Sequence, residues 1–483
     1  MQSDFYPKKM KKRVFLTGAT GTMGWAGLLE LLHYSDKYDI TILARPSRKN
    51  QRKLAPLINK LNVVWGNLLK YEDVLRGVTG ADYVLHVGGM VSPKADYHPE
   101  ETLHVNITAA KHIVKAVLSQ PNRDEIRVVY IGSVAETSDR NEPIHWGRCG
   151  DPVFASVFDN YAVSKIAAER IFADSGLQHW VSLRQSGILY PAILKNFDPI
   201  MFHVPIRGVL EWATVEDSGR LLERVCRDDV PDTFWNHFYN ISSGSQYRMT
   251  NYEFEKRVLK AVHCPRPEKI FNAKWFALKN FHGHYYLDAD ILENYLHFRA
   301  NIPLDDYFQQ MSDGLPKIFR LTKLVPAFIL KATLYLLAHK KTYGTQYWIQ
   351  HRDEARIHAY YGSMEQWRAI PQWKDWNLSD PAGLNESTYI RHGYDETKPL
   401  SQLTTAELQT AAVFRGGQLI SENYTGNPSQ KLVWKCHNEH LFEASPNLIL
   451  EGGHWCPECF SNHWENFADV AKHNPFFAQV FEK

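Results

Sequence analysis

Residues 14–24 constrain the fold of this chain more than any other stretch. Val14, Phe15 and Leu16 form an apolar run with the character of a buried parallel strand. Glycines follow at Gly18, Gly21 and Gly24, and residues 25–32 then carry the apolar content of a helix packed on one face. A strand, a tight glycine turn and a helix bring unpaired backbone N–H groups and a helix N-terminus against a pyrophosphate. Gly18 supplies a backbone conformation closed to residues with a Cβ, Gly21 lets phosphates approach, and Gly24 lets helix and strand pack closely.

Strands and helices alternate beyond the turn, which predicts an α/β, doubly wound parallel sheet. Buried strands are expected at 40–44, 62–65, 83–87, 127–131 and 180–183, with helices over 100–118 and 160–174. In such sheets ligands sit beyond the carboxyl ends of the strands, so Gly18, Arg45, Gly88 and Ser133 should share one edge. An acidic residue after the second strand would bind the ribose hydroxyls of NAD. Here Arg45, Arg48 and Lys49 stand instead. These cations suit a 2′-phosphate, so NADP(H) is favoured over NAD(H).

Tyr161 and Lys165 lie four residues apart, which places both on one helix face. A free tyrosine, with a pKa near 10, is a poor base at neutral pH. A neighbouring ammonium would stabilise its phenolate. Ser133, at the end of the fifth predicted strand, could hydrogen-bond the substrate oxygen.

Together these residues resemble the extended short-chain dehydrogenase/reductase family, which includes NAD-dependent epimerases, dehydratases and 3β-hydroxysteroid dehydrogenases. The resemblance rests on the glycine turn at 17–24, on His86-Val87-Gly88-Gly89, on Asn106, and on Ser133, Tyr161 and Lys165. The segments 183–191 and 215–219 add to it, so that it covers about residues 10–320. It implies a cofactor held by Thr17, Gly18, Thr20, Gly21, Thr22, Met23, Gly24, Arg45, Arg48, Asn67, Leu68, Val87, Gly88, Gln185 and Ser186, together with Tyr161 and Lys165. Tyr161 would move the hydroxyl proton, Lys165 would tune it and hold the nicotinamide ribose, and Ser133 would orient the substrate.

Departures from the family pattern narrow the chemistry. Ser133-Val134-Ala135 lacks the acid pair of nucleotide-sugar dehydratases, Leu210-Glu211 replaces an Arg-Asp pair that meets a diphosphate, and Asn67 replaces an aspartate. Phe202, Val204, Leu210, Trp212, Phe271, Trp275, Phe276, Phe281, Tyr285 and Tyr286 point to an apolar substrate. The expected reaction interconverts an alcohol and a ketone on a hydrophobic, steroid- or terpenoid-like molecule. A nucleotide-sugar epimerase with tightly bound NAD is the first alternative, and a dinucleotide-sensing binding protein the second.

With 483 residues the chain has room for several domains. We expect a dinucleotide-binding core with a substrate lobe over 1–320, a helical aromatic-rich extension over 321–430, a zinc-ribbon-like segment over 431–463 and a helix or tail over 464–483. Tyr360, Tyr361, Trp367, Trp373 and Trp376 in the extension read as packing. Formal net charge is +2, which gives no strong nucleic-acid signal. Lys8, Lys9, Lys11, Lys12 and Arg13 read as a solvated end. The first strand starts too early for a cleaved leader, and six cysteines are too few for a disulfide framework, so a reducing, cytoplasmic setting is expected. The apolar run 324–338, interrupted by Lys331, reads as a buried helix. Its alternative is an interfacial helix in peripheral membrane contact, flanked by Lys323, Lys340 and Lys341. A homodimer is also expected.

Near the carboxyl end, Cys436 and His440, then Cys456 and Cys459, form two short ligand pairs fifteen residues apart. That spacing suits a tetrahedral structural zinc site, with Trp434, Phe442, Pro446 and Trp455 as an apolar jacket. The segment resembles a treble-clef zinc ribbon in which Glu439 stands where glycine is common. His437 and His454 are rival ligands. The charge around it is mixed, which favours a structural or interaction role over phosphate binding.

Overall fold

The computed structural model describes residues 11–140, 146–378, 389–461 and 464–481. One sheet is built from β1 (Lys12–Thr17), β2 (Tyr38–Ala44), β3 (Asn62–Trp65), β4 (Tyr83–His86), β5 (Arg127–Ser133), β6 (His179–Gln185) and β7 (His237–Ile241). Their order is β7-β6-β5-β4-β1-β2-β3, and every pairing is parallel. The strand order reverses between β1 and β4, so the crevice of this doubly wound sheet opens at the carboxyl ends of those two strands.

Helices α1 (Thr22–His33) and α4 (Val215–Arg224) cover one face, and α2 (Pro99–Leu118) and α3 (Asn160–Ala173) the other. The two-residue period of a strand explains the division. Val14 and Leu16 pack beneath α1 and α4, while Phe15, between them, joins the cluster under α2 and α3. On the first face the helices approach so closely that a Cβ on Gly27 would come within 2.4 Å of Leu222.

Four expectations need correction. The sheet has a seventh strand, β7, whose run of His237, Phe238, Tyr239 and Asn240 lacks the continuous apolar character of the others. Strand β3 is not buried, because it pairs on one side only: Asn62 is exposed and Val63, Val64 and Trp65 are half-buried. Lys8 and Lys9 lie outside the described residues; Lys11 and Arg13 are exposed as a solvated end would be, but Lys12 and Arg13 belong to β1 and are paired. Lys12 Nζ sits 2.6 Å from Asp228, and Arg13 lies 3.1 Å from Asp82. Finally, the apolar run 324–338 is not a core helix. Helix α5 (Ala327–Ala338) buries only Leu334 and Ala338, whereas Leu324 and Phe328 are 71% and 72% exposed.

From Ile390 onward the chain packs against the α2/α3 face. Strands β8 (Gln418–Leu419), β9 (Leu432–Lys435) and β10 (Leu441–Ala444) form a small antiparallel sheet. Its Trp434, Phe442 and Trp455, with Phe460 and Phe477, share one apolar cluster with Phe172 and Trp180 of the large sheet's layers. Between the two parts, Trp348, Tyr360 and Tyr361 are buried in a separate cluster, with Trp367, Trp373 and Trp376 packed at its margin.

Candidate active site

The glycine turn lies where β1 ends. Gly18 has φ +74°, and a Cβ there would meet Gly88 Cα at 2.7 Å, so no other residue lets the two strand ends approach this way. Gly24 faces the Gly18 carbonyl so closely that a Cβ would come within 2.3 Å of it. Thr17 is fully buried and ties the two strands together: its hydroxyl lies 2.9 Å from His86 Nδ1 and accepts the Gly88 N–H at 3.0 Å. Met23, in the first turn of α1, is buried, while Gly21 and Thr22 are exposed at its start. Gly21 is the N-cap, and no side chain caps the helix, which leaves its first-turn N–H groups for an anion.

The remaining predicted cofactor residues are spread along the same edge. Arg45 and Arg48 are exposed just beyond β2, where Ser47 caps the helix Arg48–Leu54. Lys53 of that helix reaches back to donate to the Thr20 carbonyl at 3.0 Å and stands 4.2 Å from the Trp25 ring. A groove of about 590 Å³ there is lined by Thr20, Gly21, Trp25, Lys49, Lys53 and Glu216. Asn67 uses its side chain to accept the Leu69 N–H, and its own N–H goes to Asp73. Leu68 packs toward Gly88, and Val87 packs against the cluster on the α1/α4 face. Gln185 is buried at the end of β6 next to Ser186, and its Oε1 has no hydrogen-bond partner among the described residues. The clear cradle at Gly18, the uncapped start of α1 and this orphaned acceptor all fit a bound dinucleotide.

The structure brings Ser133, Tyr161 and Lys165 together. Ser133 closes β5, and α3 begins at an Asp159 cap that accepts the Ala162 N–H at 2.8 Å. Burial raises the Tyr161 pKa, the hydrogen bond between its side chain and that of Ser133 partly offsets this, and the Glu136, Asp159 and Asp96 carboxylates raise it further. Lys165 turns inward, donating to the Ile131 carbonyl at 2.5 Å and lying 4.4 Å from the Tyr130 ring. Burial brings its pKa down to about 8 against the pull of Glu136 and Glu169. Burial and these carboxylates thus hold the Tyr161 phenol pKa above its free value, and the Lys165 ammonium is engaged by the Ile131 carbonyl.

Several residues at the site carry no sequence signal of the kind used above. Asp96, in the short helix Lys94–Tyr97, has its pKa raised to about 6 by burial and by the nearby Asp159, and its Oδ2 is without a hydrogen-bond partner among the described residues. His282 Nδ1 lies 3.6 Å from Asp159. Beneath the site, Glu136 accepts the Ser133 N–H at 2.7 Å, and the buried Arg184 binds Glu169 at 2.6 Å and the Gly452 carbonyl at 2.6 Å. Against the effect of burial, Arg184 and His454 hold Glu169 well below the usual carboxylate range. Burial and the charge of Glu169 push Glu136 well above it.

The aromatic lobe reads differently in three dimensions. Phe202, Phe271, Trp275 and Phe276 form a closed core rather than a lining, and Tyr285 and Tyr286 are also buried. Val204, Leu210, Trp212 and Phe281 are only half-buried, with Trp212 stacked on Phe254. Glu211 is likewise no exposed repulsive charge: it is buried, Arg248 pairs with it at 2.7 Å, and the Ser242 hydroxyl donates to it at 2.5 Å.

A second candidate centre lies in the C-terminal sheet. The ligand atoms of Cys436, His440, Cys456 and Cys459 all fall within 4.8 Å of one another. Cys436 and Cys459 sulfurs are 3.6 Å apart, and His440 Nδ1 is 3.5 Å from the sulfurs of both Cys456 and Cys459. These separations match the edges of a tetrahedron with metal–ligand bonds of about 2.0–2.3 Å. Glu439 adopts φ +61°, so it takes the left-handed conformation for which glycine is the easier choice. Neither rival ligand joins the cluster: His437 lies 3.6 Å from Asp469, and His454 Nε2 lies 2.8 Å from Glu169.

Residues 14–187 match the model of the NAD dependent epimerase/dehydratase family. That segment, which holds the glycine turn and the Ser133, Tyr161 and Lys165 set, is similar to that family. DesIV, a dTDP-glucose 4,6-dehydratase from Streptomyces venezuelae solved with NAD and TYD, shares the fold at 16% identity and a TM-score of 0.50, covering 62% of this chain and 96% of that one. UDP-glucose 4-epimerase from Bifidobacterium longum, solved with NAD+ and UDP, is 17% identical with a TM-score of 0.49, over 65% of this chain and all of that one. A protein of Escherichia phage T5 named "Putative endonuclease" is 30% identical over 77 residues, 16% of this chain. The chain spans only 27% of that relative's length.

Proposed function

We propose that this chain is an NAD(P)-dependent oxidoreductase that interconverts an alcohol and a ketone on an apolar substrate, and that its C-terminal sheet holds a structural zinc ion. The meeting of Ser133, at the end of β5, with Tyr161 and Lys165 of α3, beside the Gly18 crevice, carries the reading. Gly18, Gly21, Thr22 and Gln185 would hold the dinucleotide, which when bound supplies or accepts a hydride. Ser133 donates to the substrate oxygen and fixes its place against Tyr161. The protonated phenol delivers its proton to that oxygen as the carbonyl becomes an alcohol, and in the reverse direction it takes the proton back. Lys165, at one turn's distance, would meet a ribose hydroxyl once its ammonium leaves the Ile131 carbonyl.

Charge supports an uncharged substrate. Asp159 and Asp96 act on Tyr161, and their negative charge disfavours a reacting group that brings another. Exposed Arg45 and Arg48 after β2 support NADP(H) over NAD(H). Three thiols and an imidazole at tetrahedral separations support zinc over a harder cation.

Purified protein incubated with NADPH or NADP+ and a panel of ketosteroids, hydroxysteroids and UDP-sugars tests the reading through nicotinamide absorbance. Cofactor-coupled turnover of the steroids is expected. Turnover confined to UDP-sugars, with NAD retained and no net change in absorbance, would establish the epimerase instead.

A further inference from the structure

Between Asp313 and Asp353 the chain contains no acidic residue. Lys317, Arg320, Lys323, Lys331, Lys340 and Lys341 are all exposed in this interval. Seven of the seventeen large apolar side chains that stand exposed among the described residues fall within 318–336. Ile318, Leu324, Phe328 and Leu336 are each more than two-thirds exposed. Such crowding of apolar surface exceeds what scattered surface residues require, and it calls for a partner.

The shape of the segment limits that partner. Its two arms, Lys317–Leu324 and Ala327–Ala338, meet at 108°. No single described helix is long and apolar enough to cross a membrane. A twelve-residue helix reaches about 18 Å, against a hydrocarbon core of about 30 Å. Leu334 and Ala338 of α5 are held in the core with Phe202, Phe271 and Phe276, so its remaining faces cannot turn inward.

We propose that residues 317–341 seat the protein on the surface of a bilayer containing anionic phospholipids. The apolar side chains of both arms lie at the boundary between headgroups and acyl chains, and the surrounding cations lie among the phosphates. Charge selects this occupant over a second copy of the chain, because pairing two such faces would bring six cations against six without an acid between them. The surface also adjoins the candidate active site. Lys340 Nζ donates to the Tyr97 hydroxyl at 3.1 Å, and Tyr97 ends the short helix that carries Asp96. An apolar molecule dissolved in the bilayer would therefore reach the enzyme where the enzyme touches the membrane. The docking surface itself holds whatever the substrate proves to be.

Flotation of the full chain with vesicles of phosphatidylcholine alone, or with roughly a third phosphatidylserine, tests this. Recovery with the anionic vesicles should exceed that with neutral ones roughly tenfold, and should fall as salt rises from about 0.1 to 0.5 M. Phe328→Asp with Leu336→Asp, and separately Lys323→Glu with Lys331→Glu, should each reduce recovery roughly fivefold or more. All four positions are exposed, so the unfolding midpoint should stay put. Equal recovery with and without vesicles would overturn the proposal. So would a dimer in light scattering that Phe328→Asp with Leu336→Asp converts to monomer, which would assign the patch to a second copy.

Discussion

His454 Nε2 lies 2.8 Å from Glu169 Oε1, so a residue two positions before Cys456 closes an ion network beneath the helix that carries Tyr161 and Lys165. Arg170, the next residue of α3, donates to the Trp455 carbonyl at 2.9 Å. The C-terminal sheet is thereby part of the support of the candidate active site.

Tyr161→Phe should lower turnover roughly a thousandfold or more, since it removes the only proposed proton donor. The dinucleotide Kd should stay within about twofold, because the ring and backbone keep their places. Stopped-flow rates with titration of nicotinamide fluorescence check both, and retained turnover would remove Tyr161 from the mechanism.

Arg45→Ala should raise the Kd for NADPH roughly tenfold while leaving that for NADH nearly unchanged, as expected for one charge-assisted contact to a phosphate. Calorimetric titration of the two cofactors separates the outcomes. Equal weakening of both would mean that Arg45 meets no 2′-phosphate.

Freshly purified protein should hold about one equivalent of zinc, and Cys459→Ser should lose most of it. Because Cys436, Cys456 and Cys459 lie in the same apolar cluster as Phe172 and Trp180, the loss should lower the unfolding midpoint of the whole chain in a single transition. Elemental analysis with calorimetry reads both. A separate, early transition would show the ribbon to be independent.

Arg184 is fully buried between Glu169, Glu136 and the Gly452 carbonyl. Arg184→Met leaves Glu169 without its main partner and should cost roughly 3–5 kcal/mol, as removal of one member of a buried pair does. Urea denaturation measures the loss, and a cost within about 1 kcal/mol would contradict the pairing.

Burial lowers the pKa of His203 to about 4 and those of His86 and His284 to about 3. Each must be neutral in the fold, so the stability they contribute is fully present above pH 6.5 and is lost as pH falls toward 4. The slope for each is on the order of 1 kcal/mol per pH unit. The unfolding midpoint should therefore drop between pH 7 and 5.5, and His203→Gln should flatten the slope by about a third. An unchanged midpoint over that range would contradict the burial.

What could be read in the sequence was local. The turn at Gly18 and the spacing of Tyr161 and Lys165 work over a few residues, so their geometry follows from strand and helix periods alone. Arg184 and Gly452 are 268 residues apart, and no periodicity links them. Composition also misled where burial decides meaning. Phe202 and Phe276 look like a substrate lining and are core, whereas Leu324 and Phe328 look like core and are exposed. In both cases the apolar count is the same kind of signal. Only packing distinguishes them.

The Gly452 carbonyl in the fork of Arg184 has a consequence for synthesis. A ribosome completes all seven strands of the large sheet more than two hundred residues before it reaches this acceptor. Until then Arg184 lacks its Gly452 acceptor and Glu169 its His454 partner, and the apolar flank of α3 stays open. The nascent protein should thus depend on holdase chaperones late in translation, and its sheet should become protease-resistant only after the last knuckle has left the exit tunnel.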